Sequence, residues 1–185
     1  MAQSLPAEEI DYSTLEAMLK ACKTDNELLD TIVNAPFTAL KVETAFLFLG
    51  IIVLLLVDKE AGTINRIALS NTDLAKATKE VSVKRFEDIV IPLNYTKNCI
   101  ARAISTGVPD TTTDWKDLFV PALKSAEARI NQANAGIAYS AVYPLNARDG
   151  GAMIFSYYQY PDHIGHTQAE FMSHYASLVE TFLNA

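Results

Sequence analysis

GIAYSAVYPLNARDGGAMIFSYYQY, residues 136–160, decides the fold. Two apolar runs rich in Tyr, Val, Ile and Phe flank a polar segment holding Asn146, Asp149, Gly150 and Gly151. Each run has the length and composition of a strand, and the residues between them tolerate the backbone of a tight reversal. The stretch therefore reads as a β-hairpin, and the remaining chain is placed relative to it.

Upstream, Ser13 opens a short amphipathic helix with Leu15, Met18, Leu19 and Cys22 on one stripe. Thr24 and Glu27 have the spacing of a capping box, so a second helix starts there and buries Leu28, Leu29, Ile32 and Val33. Pro36 is expected to break or kink it. Phe37, Leu40, Thr44 and Phe48 then keep a helical spacing up to about Leu49, with Gly50 as a C-terminal cap. Ile51–Val57 and Ile64–Ser70 read as paired strands around the polar turn 58–63.

Residues 71–84 show weak periodicity and read as loop with a helical turn, and 86–93 as a further short strand. Asn94 is expected to cap a helix burying Cys99, Ile100, Ala103 and Ile104, closed by Gly107 and Pro109. Residues 108–115 read as a short edge strand or an extended segment. A helical stripe then runs Leu118, Phe119, Ala122, Leu123, Ala126, Ile130 and Ala133, with Pro121 near its start and Gly136 past its end. After the hairpin, Phe171, Met172, Tyr175, Leu178, Val179, Phe182 and Leu183 define a C-terminal helix with Thr167 and Glu170 as its capping box. Hairpins within this mixed order predict an α+β domain, a largely antiparallel sheet with helices on its faces.

At 185 residues and half apolar, the chain can bury one sizeable core. Its net charge of −7 and dispersed cations lack the footprint of a phosphate-backbone binder, so no nucleic-acid partner is expected. Lys76, Lys79, Lys84 and Arg85 are interrupted by Glu80 and followed by Glu87 and Asp88, which reads as a solvated face. Two cysteines are too few for a disulfide framework, and the N-terminus lacks a signal-peptide pattern, so a cytoplasmic setting is the expectation. The uncharged run 45–57 is too short to span a bilayer, which takes about 20 residues, and no membrane partner is expected.

Three blocks of the chain resemble the GAF domain family of small-molecule sensor and regulatory modules. They are IVLLLVDKEAGTINRIAL, IPLNYTKNCIARAISTGVPDTTTDW with its Ala-x-x-Ser/Thr-Gly-x-Pro pattern, and GIAYSAVYPLNARDGGAMIF followed by the long last helix. The resemblance spans about residues 25–184, leaving 1–24 as an N-terminal helical extension to a GAF-like domain over 25–185. It implies an antiparallel sheet of about six strands, a pocket on one face, and frequent dimerisation through terminal helices. Tyr139 stands where many members have Ser, and Ala138 replaces a frequent Arg. The cyclic-nucleotide signature and the Cys-His bilin attachment site are absent.

His166, Glu170 and His174 are spaced to share a helical face, but a cap at Thr167 places His166 outside the helix, so no metal site is expected. Cys99 lies near Lys97, Arg102 and a helix start, which lowers thiol pKa values, yet it sits on an apolar stripe and reads as packing. Some family members reduce free methionine sulfoxide with paired cysteines; here Cys22 is remote in sequence, so no catalytic residue is assigned. The cofactor is left unassigned. Tyr139 with Tyr143, and Phe155 with Tyr157, share strand faces by alternation. With Tyr95, Asp114, Trp115 and Arg129, from segments that surround the pocket in the family, they are the ligand-site candidates. The expected role is a non-enzymatic sensor holding a small molecule and signalling through terminal helices to an effector protein, as a homodimer. The alternatives are a ligand-free dimerisation module and a thiol-dependent methionine sulfoxide reductase.

Overall fold

The computed structural model describes residues 10–41, 47–159 and 166–185. The helices are α1 (Tyr12–Lys20), α2 (Asp25–Ala39), α3 (Asp73–Val81), α4 (Cys99–Thr106), α5 (Lys116–Phe119), α6 (Ser125–Ala135) and α7 (His166–Leu183). The strands are β1 (Leu49–Asp58), β2 (Thr63–Leu69), β3 (Ile91–Pro92), β4 (Asp110–Thr112), β5 (Tyr139–Leu145) and β6 (Gly151–Tyr157). They form one sheet in the order β3-β2-β1-β6-β5-β4, with every neighbouring pair antiparallel. The hairpin predicted from residues 136–160 is β5 and β6, paired from Tyr139↔Tyr157 to Leu145↔Gly151. The class is α+β, as expected.

Strand alternation divides the core in two. Ile52, Leu54, Ala141, Met153, Phe155 and Tyr157 turn to the face covered by α1, α2 and α7. Ile51, Val53, Leu55, Val142, Ala152 and Ile154 turn to the opposite face, covered by the segments between β2 and β5.

Caps explain several helix starts. Thr24 Oγ accepts from the Glu27 N–H at 3.2 Å, while the Glu27 carboxylate reaches one residue further back and accepts from the Lys23 N–H at 2.7 Å. Pro36 does not end α2. Its missing N–H removes the donor for the Ile32 carbonyl, and the buried Tyr175 hydroxyl of α7 donates to that carbonyl at 2.6 Å. The kink signal is local and the repair is tertiary.

Other boundaries differ from the sequence expectation for similar reasons. Gly50 lies inside β1, and Phe48 takes the left-handed turn instead, with φ 59°. Thr44 lies outside the described residues, as does Tyr160 at the end of the hairpin stretch. Residues 73–81 form a full helix capped by Thr72, whose Oγ accepts from the Ala75 N–H. Its polar sequence hid it, because only Ala75 is fully buried there. Residues 86–93 split into a 3-10 turn at Phe86–Asp88 and the two-residue β3. Asn98, not Asn94, caps α4, accepting from the Ile100 N–H at 2.8 Å. The stripe 118–133 is interrupted at Val120 and Pro121, where extended backbone before the proline separates α5 from α6. Ile130 is 52% exposed, and Asn131 takes the inward position. Thr167 lies within α7, since His166 is already helical, so the expected cap there is not formed.

Two buried tyrosines on the α7 face give a paired prediction. Tyr157 Oη is the one buried side-chain polar atom without a hydrogen-bond partner among the described residues. An unmatched buried hydroxyl costs about 1–3 kcal/mol, so Tyr157→Phe is expected to raise the unfolding free energy by about 1 kcal/mol. Tyr175→Phe is expected to lower it by about 1–3 kcal/mol, because it orphans the Ile32 carbonyl. Urea denaturation of both variants checks the opposite signs; equal shifts would sink the assignment.

Candidate functional site

Between the sheet and the β2–β5 segments lies a cavity of about 50 Å³. Its floor is β1, β2 and β6, through Ile51, Val53, Arg66, Leu69, Ile154 and Ser156. Its roof is α3, the 3-10 turn, α5 and Asn131 of α6. Most of the wall is apolar. The buried polar exceptions are Arg66 and Ser156 in the floor and Asn131 in the roof.

Arg66 is the chief exception. It lies two residues from Ile64 along β2, on the same side, which faces the cavity, and is only 4% exposed. Its guanidinium donates to the Ile89 carbonyl at 2.8 Å and the Leu118 carbonyl at 3.2 Å, and lies 4.6 Å from the Phe119 ring centroid. No carboxylate pairs with it among the described residues. Burial without a counter-charge lowers its pKa to about 9, which still leaves it cationic at neutral pH.

A second polar line enters from β5. Trp115 Nε1–H donates to Ser140 Oγ at 3.0 Å, and the Ser140 and Ser156 hydroxyls share a hydrogen bond of 2.7 Å. Trp115 and Ser156, the two ends of this line, both face the cavity, and Ser140 joins them from behind the wall.

The eight predicted site residues do not form one cluster. Trp115 lines the cavity. Asp114 and Arg129 pair outside it, with Arg129 Nη2 donating to Asp114 at 2.8 Å. Burial alone would raise the Asp114 carboxyl, but hydrogen bonds from Arg129 and the Lys116 N–H, with the Arg129 charge, bring it below its usual range. Tyr95 is half-buried in the β3–α4 loop, away from the cavity wall. Tyr139, Tyr143, Phe155 and Tyr157 share one face, as alternation predicts, but it is the face packed on the terminal helices. Sequence reading passed over Arg66, Asn131 and Ser156. The available signal was an arginine in phase with Ile64 on a strand buried on that side.

The thiols are not brought together. Cys22 sits beside α1 and α2, its Sγ 3.4 Å from the Met18 carbonyl, whereas Cys99 belongs to the opposite core face. Burial, reinforced by the Asp110 charge, pushes the Cys99 thiol up to about 12, despite the opposing charge of Arg102. Native-state labelling with an aromatic disulfide at pH 8 is expected to modify Cys22 well before Cys99, and Cys99 only on unfolding. Rapid labelling of Cys99 would show a thiolate that this burial forbids. His166 pairs with Glu170 at 2.9 Å, and His174 stacks on Tyr12 at 3.8 Å. Among the described residues no group of three His, Cys, Asp or Glu side chains could hold a metal ion, and no helix is long and apolar enough to cross a membrane.

A six-stranded antiparallel sheet with its terminal helices on one face and a cavity under the inserted segments on the other defines a GAF-type α+β module. Solved structures agree: the chain has the GAF domain fold. The GAF domain of an Acinetobacter phosphoenolpyruvate-protein phosphotransferase superposes with TM-score 0.60 at 10% identity, covering 91% of this chain and 87% of that one. The phycoerythrobilin-bound GAF domain of a cyanobacterial phytochrome gives 0.59 at 12% identity over 98% and 96%. The free methionine-R-sulfoxide reductase of Neisseria meningitidis, solved with its substrate, gives 0.59 at 12% identity over 91% and 83%. No family model matches the sequence, and no curated protein matches it at a significant level.

Proposed function

We propose that this chain is a non-enzymatic sensory or regulatory domain that holds a small molecule in the Arg66 cavity and signals through its terminal helices. The observation that carries this reading is the position of β6 between cavity and helices. Ile154 and Ser156 line the cavity, while their neighbours Phe155 and Tyr157 pack on the α1/α2/α7 side. A ligand that shifts β6 therefore acts on the C-terminal helix through adjacent residues. Such a shift requires different affinity for two helix arrangements.

The output passes to an effector protein in trans, and a homodimer through the terminal helices is the assembly this reading expects. A thiol-dependent reductase is disfavoured because Cys22 and Cys99 lie on opposite faces of the sheet.

Native mass spectrometry of freshly purified protein, beside its denatured mass, tests the reading. A reproducible extra mass lost on denaturation supports a bound small molecule. A clean dimer mass, with no thermal shift across a metabolite panel, favours a ligand-free dimerisation module.

A further inference from the structure

We infer that the cavity takes a small planar oxyanion of the carboxylate class, with its charge on Arg66 and a second hydrogen bond from Ser156. This deepens the sensor reading and rests on it. A guanidinium has five N–H donors, and the two carbonyls engaged by Arg66 leave it further donors in a buried site. A buried charge is ordinarily paired, because desolvating an isolated ion is costly. Arg66 has no acidic partner in the described protein, and no carboxylate lines the cavity.

The surrounding charge points the same way. The other charged residues lining the cavity are Lys79 and Lys84, both exposed and neither in an ion pair among the described residues. Nearby acids are engaged elsewhere or turned outward: Asp88 is held by Arg85, and Glu80 and Glu87 are exposed and off the wall. Three cations and no anion around one cavity is a local inversion in a chain of net charge −7. The hydroxyl line completes the donor set. Ser140 accepts from Trp115 and shares one hydrogen bond with Ser156, so two hydroxyl protons serve one bond. When Ser140 donates, the Ser156 proton is left for an acceptor in the cavity.

Size selects the occupant. A cavity of about 150 Å³ holds a benzene-sized ligand, so the roughly threefold smaller space here suits about two to four heavy atoms without rearrangement. The guanidinium fork matches carboxylates and tetrahedral oxyanions alike, so it is the small space that selects a planar carboxylate over a tetrahedral anion of greater bulk.

The test uses Trp115, the single tryptophan of the chain and part of the cavity wall, as its reporter. Sodium acetate is titrated at constant ionic strength against chloride, with acetamide as the neutral isostere. Saturable change in tryptophan emission with acetate, and none with acetamide over the same range, is the expected result. Arg66→Gln is expected to weaken acetate binding tenfold or more, Arg66→Lys less, and Ser156→Ala by a few fold. Equal responses to acetate and acetamide, wild-type affinity in a folded Arg66→Gln variant, or no saturable response to acetate would overturn the inference. Should Arg66→Gln fail to fold, the acetate and acetamide comparison on the unaltered protein decides alone. A response to uncharged metabolites with none to acetate would overturn the anion while leaving the sensor reading intact. Silence to both, with a clean native mass, would overturn both.

Discussion

Phe155→Ala is expected to lower the unfolding free energy by about 3–5 kcal/mol, the range for truncating a fully buried aromatic. Phe155 is 0% exposed on β6, between the two strands that pair with it on either side. Its ring meets Tyr143 edge-on, with centroids 5.8 Å apart, and Phe171 of α7 at 6.1 Å. Removing it empties the junction of sheet and C-terminal helix, and neither a strand in the sheet interior nor an 18-residue helix packed along it closes the gap easily. Since a domain is ordinarily stable by only about 5–15 kcal/mol, this single change removes a large fraction. Ile130→Ala is the control. It alters an apolar residue that helical spacing assigns to the core but that is 52% exposed, and its shift is expected within about 0.5 kcal/mol. Urea denaturation measures both; a loss below about 1.5 kcal/mol for Phe155→Ala would mean that α7 is not packed on β6 as described.

Gly151→Ala is expected to cost about 2–3 kcal/mol, through space rather than backbone conformation. A Cβ at Gly151 would lie 2.5 Å from the Leu55 carbonyl oxygen and 3.1 Å from Leu56 Cδ2. The first neighbour is backbone, at the point where β1 and β6 pair Leu56 with Gly151, so relief requires the two strands to separate. Gly62 supplies the contrast. It has φ +65°, and an added methyl there would meet nothing within 4 Å, so Gly62→Ala carries only the left-handed penalty of about 1 kcal/mol. Faster amide exchange at Leu55 and Leu56 in the Gly151 variant, beyond that in the Gly62 variant, locates the damage. Equal costs for the two would remove the steric explanation.

The elements were legible wherever one local rule governed. Strand-forming composition on either side of a turn segment gave β5 and β6, the Thr24 cap gave the start of α2, and Gly107 and Gly136, with φ 68° and 63°, closed α4 and α6 as their positions predict. Boundaries moved where a distant group intervened. Pro36 remains helical because Tyr175, 143 residues from Ile32, supplies the hydrogen bond that proline removes. The helix α3 was hidden because its polar face meets solvent and its burial depends on the cavity roof.

By itself the sequence determined the α+β class, the central hairpin and the pairing of tyrosines by face, since these follow from side-chain period and composition within a few residues. Only the tertiary structure decided which face carries the cavity, and that Arg66 stands in it without an acid. Alternation says that residues share a face but not what covers it. The carbonyls that hold Arg66 come from residues 23 and 52 positions away, so the environment of that charge is set by chain crossings that no local pattern encodes.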